Sequence, residues 1–326
     1  MNSSTITLAS QLSLAQTYIT RYFMIPVYIF GNIGNLMNIL LFFQPGLHLN
    51  NTCSWYFISF SIANLLLIDI SGTTRTLPFV TTFTLESSSL AFCKIRYYFA
   101  HFTLLLGRYF ICLIAIDRWM VTSSNESIRR LSSIKTARYL IIGGTAACAI
   151  FSVHAAIGYE IKSNRCYVFF GTAYNIFFNV YNILSIVIPI VLMILFSILI
   201  IMNIRHSRHR INVVSDSVNS AYQLARKSNP SIQMKFIRLA LIQSLTFTLF
   251  NTSYAAYVTY DFATSSQGKS VDRQAIEGFI YAFSIHLCYI FASFTFLTYT
   301  LASSIFRKEC MSMIRRLCTK ILQWCG

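Results

Sequence analysis

The chain has 326 residues, 55% of them hydrophobic and only 11% charged, where an ordinary soluble domain carries roughly 25% charged residues. A water-soluble core cannot absorb that much apolar surface, so a soluble enzyme is excluded. The net charge of +16 comes with no nucleic-acid-reading motif around it, which points to anionic lipid or an acidic cytosolic partner.

In chain order, apolar stretches of about 20 residues or more, enough to cross a bilayer, fall at 22–43, 54–79, 92–118, 139–157, 173–202, 236–260 and 276–303. The expected fold is an all-α membrane protein, one seven-helix domain over 1–326. Residues 1–20 read as a short outer amino terminus, in which Asn2-Ser3-Ser4 is a glycosylation sequon. No cleavable-signal pattern precedes the first span, which is expected to act as the signal anchor.

Lysine and arginine set the orientation. The segments after spans three, five and seven hold Arg118, Arg129, Arg130, Lys135 and Arg138, then Arg205, Arg208, Arg210, Arg226, Lys227, Lys235 and Arg238, then Arg307, Lys308, Arg315, Arg316 and Lys320. On the other side, Glu86, Glu160, Asp261, Asp272 and Glu277 nearly balance the bases. The positive-inside rule places the amino terminus outside and the carboxyl terminus in the cytosol. Residues 203–235, polar and basic, read as the third inner loop. The tail, 304–326, repeats Phe306, Cys310, Ile314, Leu317, Ile321 and Trp324 at helical spacing, as an amphipathic helix on the inner leaflet does. Cys310, Cys318 and Cys325 are candidates for palmitoylation there.

Of the nine cysteines, Cys93 and Cys166 lie on the outer side. An oxidising compartment permits a disulfide between them, and two free thiols are the alternative. From Cys93 to Arg118 is roughly 37 Å of helix at the standard rise, enough to run from the outer interface to the inner one.

Asp69, Arg75, His101, Arg108, His154 and His286 fall inside the spans, and intramembrane ionisable groups are functional candidates by default. Arg108 is about 15 Å deeper than Arg118 and needs a partner. Asp69, Asn251 and backbone carbonyls are the choices.

Taken together, several motifs resemble the rhodopsin class (class A) of G-protein-coupled receptors over nearly the whole length. They are A-I-D-R-W at 115–119, G-N-I-G-N at 31–35, S-I-A-N at 61–64, Pro189, and Tyr299 seven residues before F-R-K at 306–308. The resemblance implies a receptor at the plasma membrane that senses an extracellular ligand and activates a heterotrimeric G protein, with no cofactor. It assigns Asp117 as a restraint on Arg118, Arg118 as the coupling residue, Gln233 as a neutral substitute for a helix-six acid, and Tyr299 as the inner tyrosine of helix seven.

Family amine receptors carry an aspartate where this chain has Ala100, and retinal-binding relatives carry a lysine where it has Tyr289. Neither ligand class is therefore expected. Arg75, Arg96, Tyr97, Ala100, His101, Asn251, Tyr254, Tyr257, His286 and Tyr289 are the pocket candidates, a mildly basic and aromatic set suited to a peptide, as in neuropeptide receptors, or to an anionic small molecule.

The chain also departs from the family. Leu66 stands where a sodium-binding aspartate is usual, Asn251 and Ser253 replace the helix-six tryptophan and proline, and T-F-L-T-Y at 295–299 replaces Asn-Pro-x-x-Tyr. Without those prolines, helices six and seven are expected to be straighter. Two other classes compete with the receptor: a seven-span zinc hydrolase using His101, His154 and His286, and a small transporter, which predicts inverted repeats with broken helices.

Overall fold

The computed structural model describes residues 7–44, 51–81, 89–162, 165–169, 171–214 and 230–325. Seven long helices form one bundle, and an eighth lies at its inner end; the names outer and inner follow the charge rule. They are helix one Leu8–Phe42, helix two Thr52–Val80, helix three Leu90–Thr122, helix four Ile134–Gly158, helix five Ala173–Val214, helix six Pro230–Thr264, helix seven Val271–Ser293 resuming as Thr295–Ala302, and helix eight Ser304–Cys325. A short helix, Glu126–Leu131, joins helices three and four.

Six of the described helices are long and apolar enough to cross a membrane. Helix six is the seventh by packing, its apolar run diluted by Arg238, Gln243, Asn251 and several threonines. Asn2 and the middle of the third inner loop, 215–229, lie outside the described residues.

Helix one begins at Leu8, well before the apolar run. Thr7 caps it by accepting from the Ser10 N–H, and the leucines, alanines and glutamines that follow are good helix formers. A π-turn at Ile19–Met24 precedes Pro26. Proline removes one backbone donor, and a single wide turn lets the helix pass that gap without ending. A second π-turn, Leu67–Gly72, interrupts helix two.

Helix six is unbroken across Asn251 and Ser253, as expected of a helix without proline. Helix seven is not straight. It stops at Ser293 and resumes at Thr295, with Phe294 at φ −93° and ψ 11°. Side chains of helices one and two hold the break in place of proline chemistry. Asn35 donates to the Ala292 carbonyl (3.1 Å), Thr295 Oγ1 donates to Asn35 Oδ1 (3.1 Å), Asn38 donates to Thr295 Oγ1 (3.1 Å), and Asn64 donates to Asn35 Oδ1 (3.4 Å). Close approach permits this: a Cβ on Gly31 would lie 2.5 Å from Ser293 Oγ, so helices one and seven meet there only with glycine.

The core fills the inner half, where Phe42, Phe57, Tyr299 and Phe306 pack ring against ring. Helix eight buries Phe306, Cys310 and Met313 against this cluster and leaves Met311 and Ile314 exposed. Cys310 is thus a core thiol, while Cys318 is exposed; the side chain of Cys325 lies outside the described residues.

Thr295 bridges two asparagines that otherwise lose their common partner. Thr295→Val should therefore lower stability by about 1–3 kcal/mol, measured by thermal unfolding of the purified protein. An unchanged transition would show that the break stands without this network.

Candidate functional site

Helix three carries a site at each end. At the inner end Asp117 and Arg118 are buried, 0% and 1% exposed, and form an ion pair in which Arg118 Nε donates to Asp117 Oδ2 at 2.9 Å. Ser132, beyond the short helix, donates its hydroxyl to Asp117 Oδ1 (2.6 Å), and Arg118 Nη1 donates to Gln233 Oε1 of helix six (2.8 Å). The Arg118 guanidinium also lies over the Phe236 ring at 5.8 Å. A buried ion pair is tolerated only with its remaining hydrogen-bonding sites occupied, and Ser132 and Gln233 fill that need. Tyr299 is fully buried against Phe42, Phe57 and Phe306, and its hydroxyl has no partner among the described residues. It supports the inner core without bonding to Arg118.

At the outer end, Ser89 caps helix three, accepting from the Phe92 N–H. Cys93 and Cys166 are joined, Cα to Cα 5.9 Å. Cys166 sits on β2, Arg165–Tyr167, which pairs antiparallel with β1, Glu160–Lys162. The bridge holds this hairpin over the bundle, and Tyr159 at its base stacks on Tyr97 at 3.8 Å.

Beneath the hairpin is a cavity of about 410 Å³ between helices two, three, five, six and seven, within the range of ligand pockets. Arg75, Arg96, Tyr97, Ala100, His101, Tyr254, Tyr257 and Tyr289 all line it. Arg75 lies over Tyr281 (5.6 Å), Arg96 Nε donates to Thr74 Oγ1 (3.1 Å), and Tyr289 and Ser71 share a hydrogen bond of 2.6 Å.

Two pocket candidates are elsewhere. Asn251 turns back on its own helix and donates to the Phe247 carbonyl (2.9 Å); His286 contacts Thr20 (3.2 Å) between helices one and seven. Both are buried, but neither lines the cavity. A larger groove, about 860 Å³, runs beside helix eight, lined by Gln44, Arg307, Lys308, Arg315 and Arg316; open and basic at the inner end, it is no chamber for an outer ligand.

Arg108 belongs to the outer cavity as well, at its floor. Its place on helix three, two turns below the pocket residue His101, was readable from helical spacing. It does not pair with Asp69. Arg108 Nη1 donates to Ser185 Oγ (2.7 Å), while Asp69, exposed on the π-turn of helix two, accepts from Asn32 (2.7 Å). The wide turn carries one extra residue, which rotates Asp69 away from the bundle axis.

The histidines do not assemble a metal site. His101 and His154 are neighbours, ring centroids 5.7 Å apart, each hydrogen-bonded to a tyrosine, Tyr159 (3.3 Å) and Tyr174 (3.0 Å), but His286 is apart from them against helix one. No group of three metal-ligating side chains occurs among the described residues. The three histidines of the zinc-hydrolase alternative are thus not gathered around one point among the described residues.

An ionic clasp closes the outer loop between helices six and seven. Lys269 reaches Glu277 (2.7 Å) and Asp261 (3.2 Å), and Arg273 Nε donates to Glu277 at 2.9 Å. Burial opposes the Lys269 charge, but its hydrogen bonds to the two carboxylates outweigh that and hold its pKa above the ordinary lysine value. Because the folded-state pKa is the higher one, this contribution is present throughout the physiological range and is lost as pH rises above the lysine value, or at the acid end as the carboxylates protonate.

The disulfide closes a long loop, so Cys166→Ser should lower stability by about 2–4 kcal/mol, and adding reductant to the wild type should produce a similar fall in the unfolding temperature. Equal unfolding of oxidised, reduced and variant protein would rule out a structural role for the bridge.

The chain matches the family model described as 7 transmembrane receptor (rhodopsin family) over residues 34–325. No curated protein matches it at a significant level. With seven packed helices, the joined Cys93 and Cys166, and a match over nearly its whole length, the chain belongs to the rhodopsin family of seven-transmembrane receptors.

Proposed function

We propose that this receptor, by its family a multi-pass plasma-membrane protein and not an enzyme, senses an extracellular peptide or anionic small molecule in the outer cavity and activates a heterotrimeric G protein through Arg118, with the amino terminus outside. One observation carries the reading: a single helix lines the cavity with Arg96, Ala100 and Arg108 and ends in the buried Asp117–Arg118 pair. A ligand that favours one packing of helix three is thereby coupled to the inner face.

Arg118 is held to helix six by Gln233, a neutral acceptor, where a carboxylate would add an ion pair to the hydrogen bond. The closed state is in this reading lightly locked. The basic groove beside helix eight suits anionic lipid headgroups, Asn2 remains the glycan candidate, and the exposed Cys318 is the favoured acylation site of the three tail cysteines.

Nucleotide exchange on a panel of purified G proteins tests the coupling. Wild type should stimulate exchange on at least one, and Arg118→Ala should abolish it; stimulation that survives the variant would move coupling to another residue. Gln233→Glu should lower ligand-free exchange about ten-fold, equivalent to about 1.4 kcal/mol. Unchanged basal exchange in that variant would end the light-lock explanation.

A further inference from the structure

Two guanidinium groups share the outer cavity without a carboxylate to answer them. Arg108 is 7% exposed, and its one hydrogen bond goes to the neutral Ser185 hydroxyl. Arg75 is half-buried against the face of Tyr281. Among the described residues no aspartate or glutamate lies within ion-pair distance of either. Among the described residues the one acid lining the cavity, Asp261, is engaged by Lys269 at the rim.

The two charges stand at different depths. Gly107 faces the Asn64 side chain, so Arg108 is level with Asn64 of helix two. Arg75 is eleven residues further along that helix, across the π-turn, so at most roughly 16 Å away at the standard rise. The wall carries aromatic and apolar side chains, Leu104, Tyr254, Tyr281, Ile285 and Tyr289, interspersed with polar ones such as Ser71, His101 and Asn182.

A buried arginine in a membrane protein is costly and ordinarily faces a partner or a polar cavity. Here the protein supplies the cation and the space but not the anion. Resting on the reading of this cavity as the ligand site, we propose that it takes an elongated molecule with an acidic group at each end and an apolar or aromatic middle. The deeper acid pairs with Arg108 and the outer one with Arg75, and the tyrosines cover the middle. A planar guanidinium binds a carboxylate through two parallel N–H donors, which makes each end selective for acid over ester or amide. An acid seated on Arg108 competes with the Arg108–Ser185 bond between helices three and five, so the deep end of the ligand acts on helix packing directly.

The test uses the full-length protein in proteoliposomes, with linear α,ω-dicarboxylates of graded chain length, their monomethyl esters and the matching diamines as probes. Thermal stabilisation reports binding without any G protein. A diacid of matching length should bind about ten-fold or more tighter than its monoester, and the diamines should not bind. Arg108→Gln and Arg75→Gln should each bring the diacid down to the level of the monoester in wild type. Arg108→Lys, which keeps the charge but not the fork, should retain part of the preference and guards against a glutamine variant that fails to fold.

Equal binding of diacid and monoester to wild type, or a preference that survives Arg108→Gln, would overturn the two-ended ligand while leaving an anion-sensing receptor in place. Binding of none of the acids at any length would remove both.

Discussion

In a bilayer, polar groups must find their partners inside the protein, and the Asn35 side chain is where three helices meet that demand. It reaches the Ala292 carbonyl and the Thr295 hydroxyl of helix seven and receives the Asn64 amide of helix two. The glycine at 31 permits the closeness, since any Cβ there would collide with Ser293. From this hub follow the interruption of helix seven, the placement of Tyr289 on the cavity above it, and the burial of Tyr299 below it. The bend usually supplied by a proline is here supplied by cross-helix hydrogen bonds, which a change of packing can make or break and a proline ring cannot.

Helix three is the element on which the outer and inner regions both depend. Its outer end is fixed by the disulfide and the Tyr97–Tyr159 stack, its middle presents Arg108 to the cavity floor, and its inner end is closed by Ser132 and Gln233. The contacts differ in strength along its length. The covalent bridge is permanent, whereas Arg118 is shared between a buried carboxylate and a neutral amide. Motion is therefore easiest where helix three meets helix six, and hardest where it meets the hairpin.

Much of this was legible before any coordinates. Seven apolar runs, Cys93 and Cys166 on one side, and the spacing from Cys93 to Arg118 are one-dimensional patterns, and hydrophobic length and helical rise convert them directly into a fold. The Arg118–Gln233 contact was legible too, since it depends only on register along helix six. What escaped were features decided by backbone irregularity. Helix one reaches back to Leu8 through a π-turn whose residues read as ordinary helix. Another π-turn rotates Asp69 away from Arg108, and helix seven breaks at Phe294 without glycine or proline to mark it. His286 and Asn251 sit at plausible depths but point into helix contacts, because depth along a helix says nothing about azimuth.

The position of Asp69 shows why that phase matters for chemistry. Where family members usually place a sodium-binding carboxylate this chain has Leu66, and its nearest acid is turned outward onto Asn32. The centre of the bundle is left with amides and hydroxyls: Asn35, Asn38, Asn64 and Thr295, linked to one another and carrying no net charge. A neutral network of this kind offers a cation no counter-charge. Buried fixed charge in the membrane-spanning core includes Arg108 above and the Asp117–Arg118 pair below. Among the described residues the pair is compensated within the protein and Arg108 is not, so the unbalanced electrostatic demand of the bundle lies at the outer cavity.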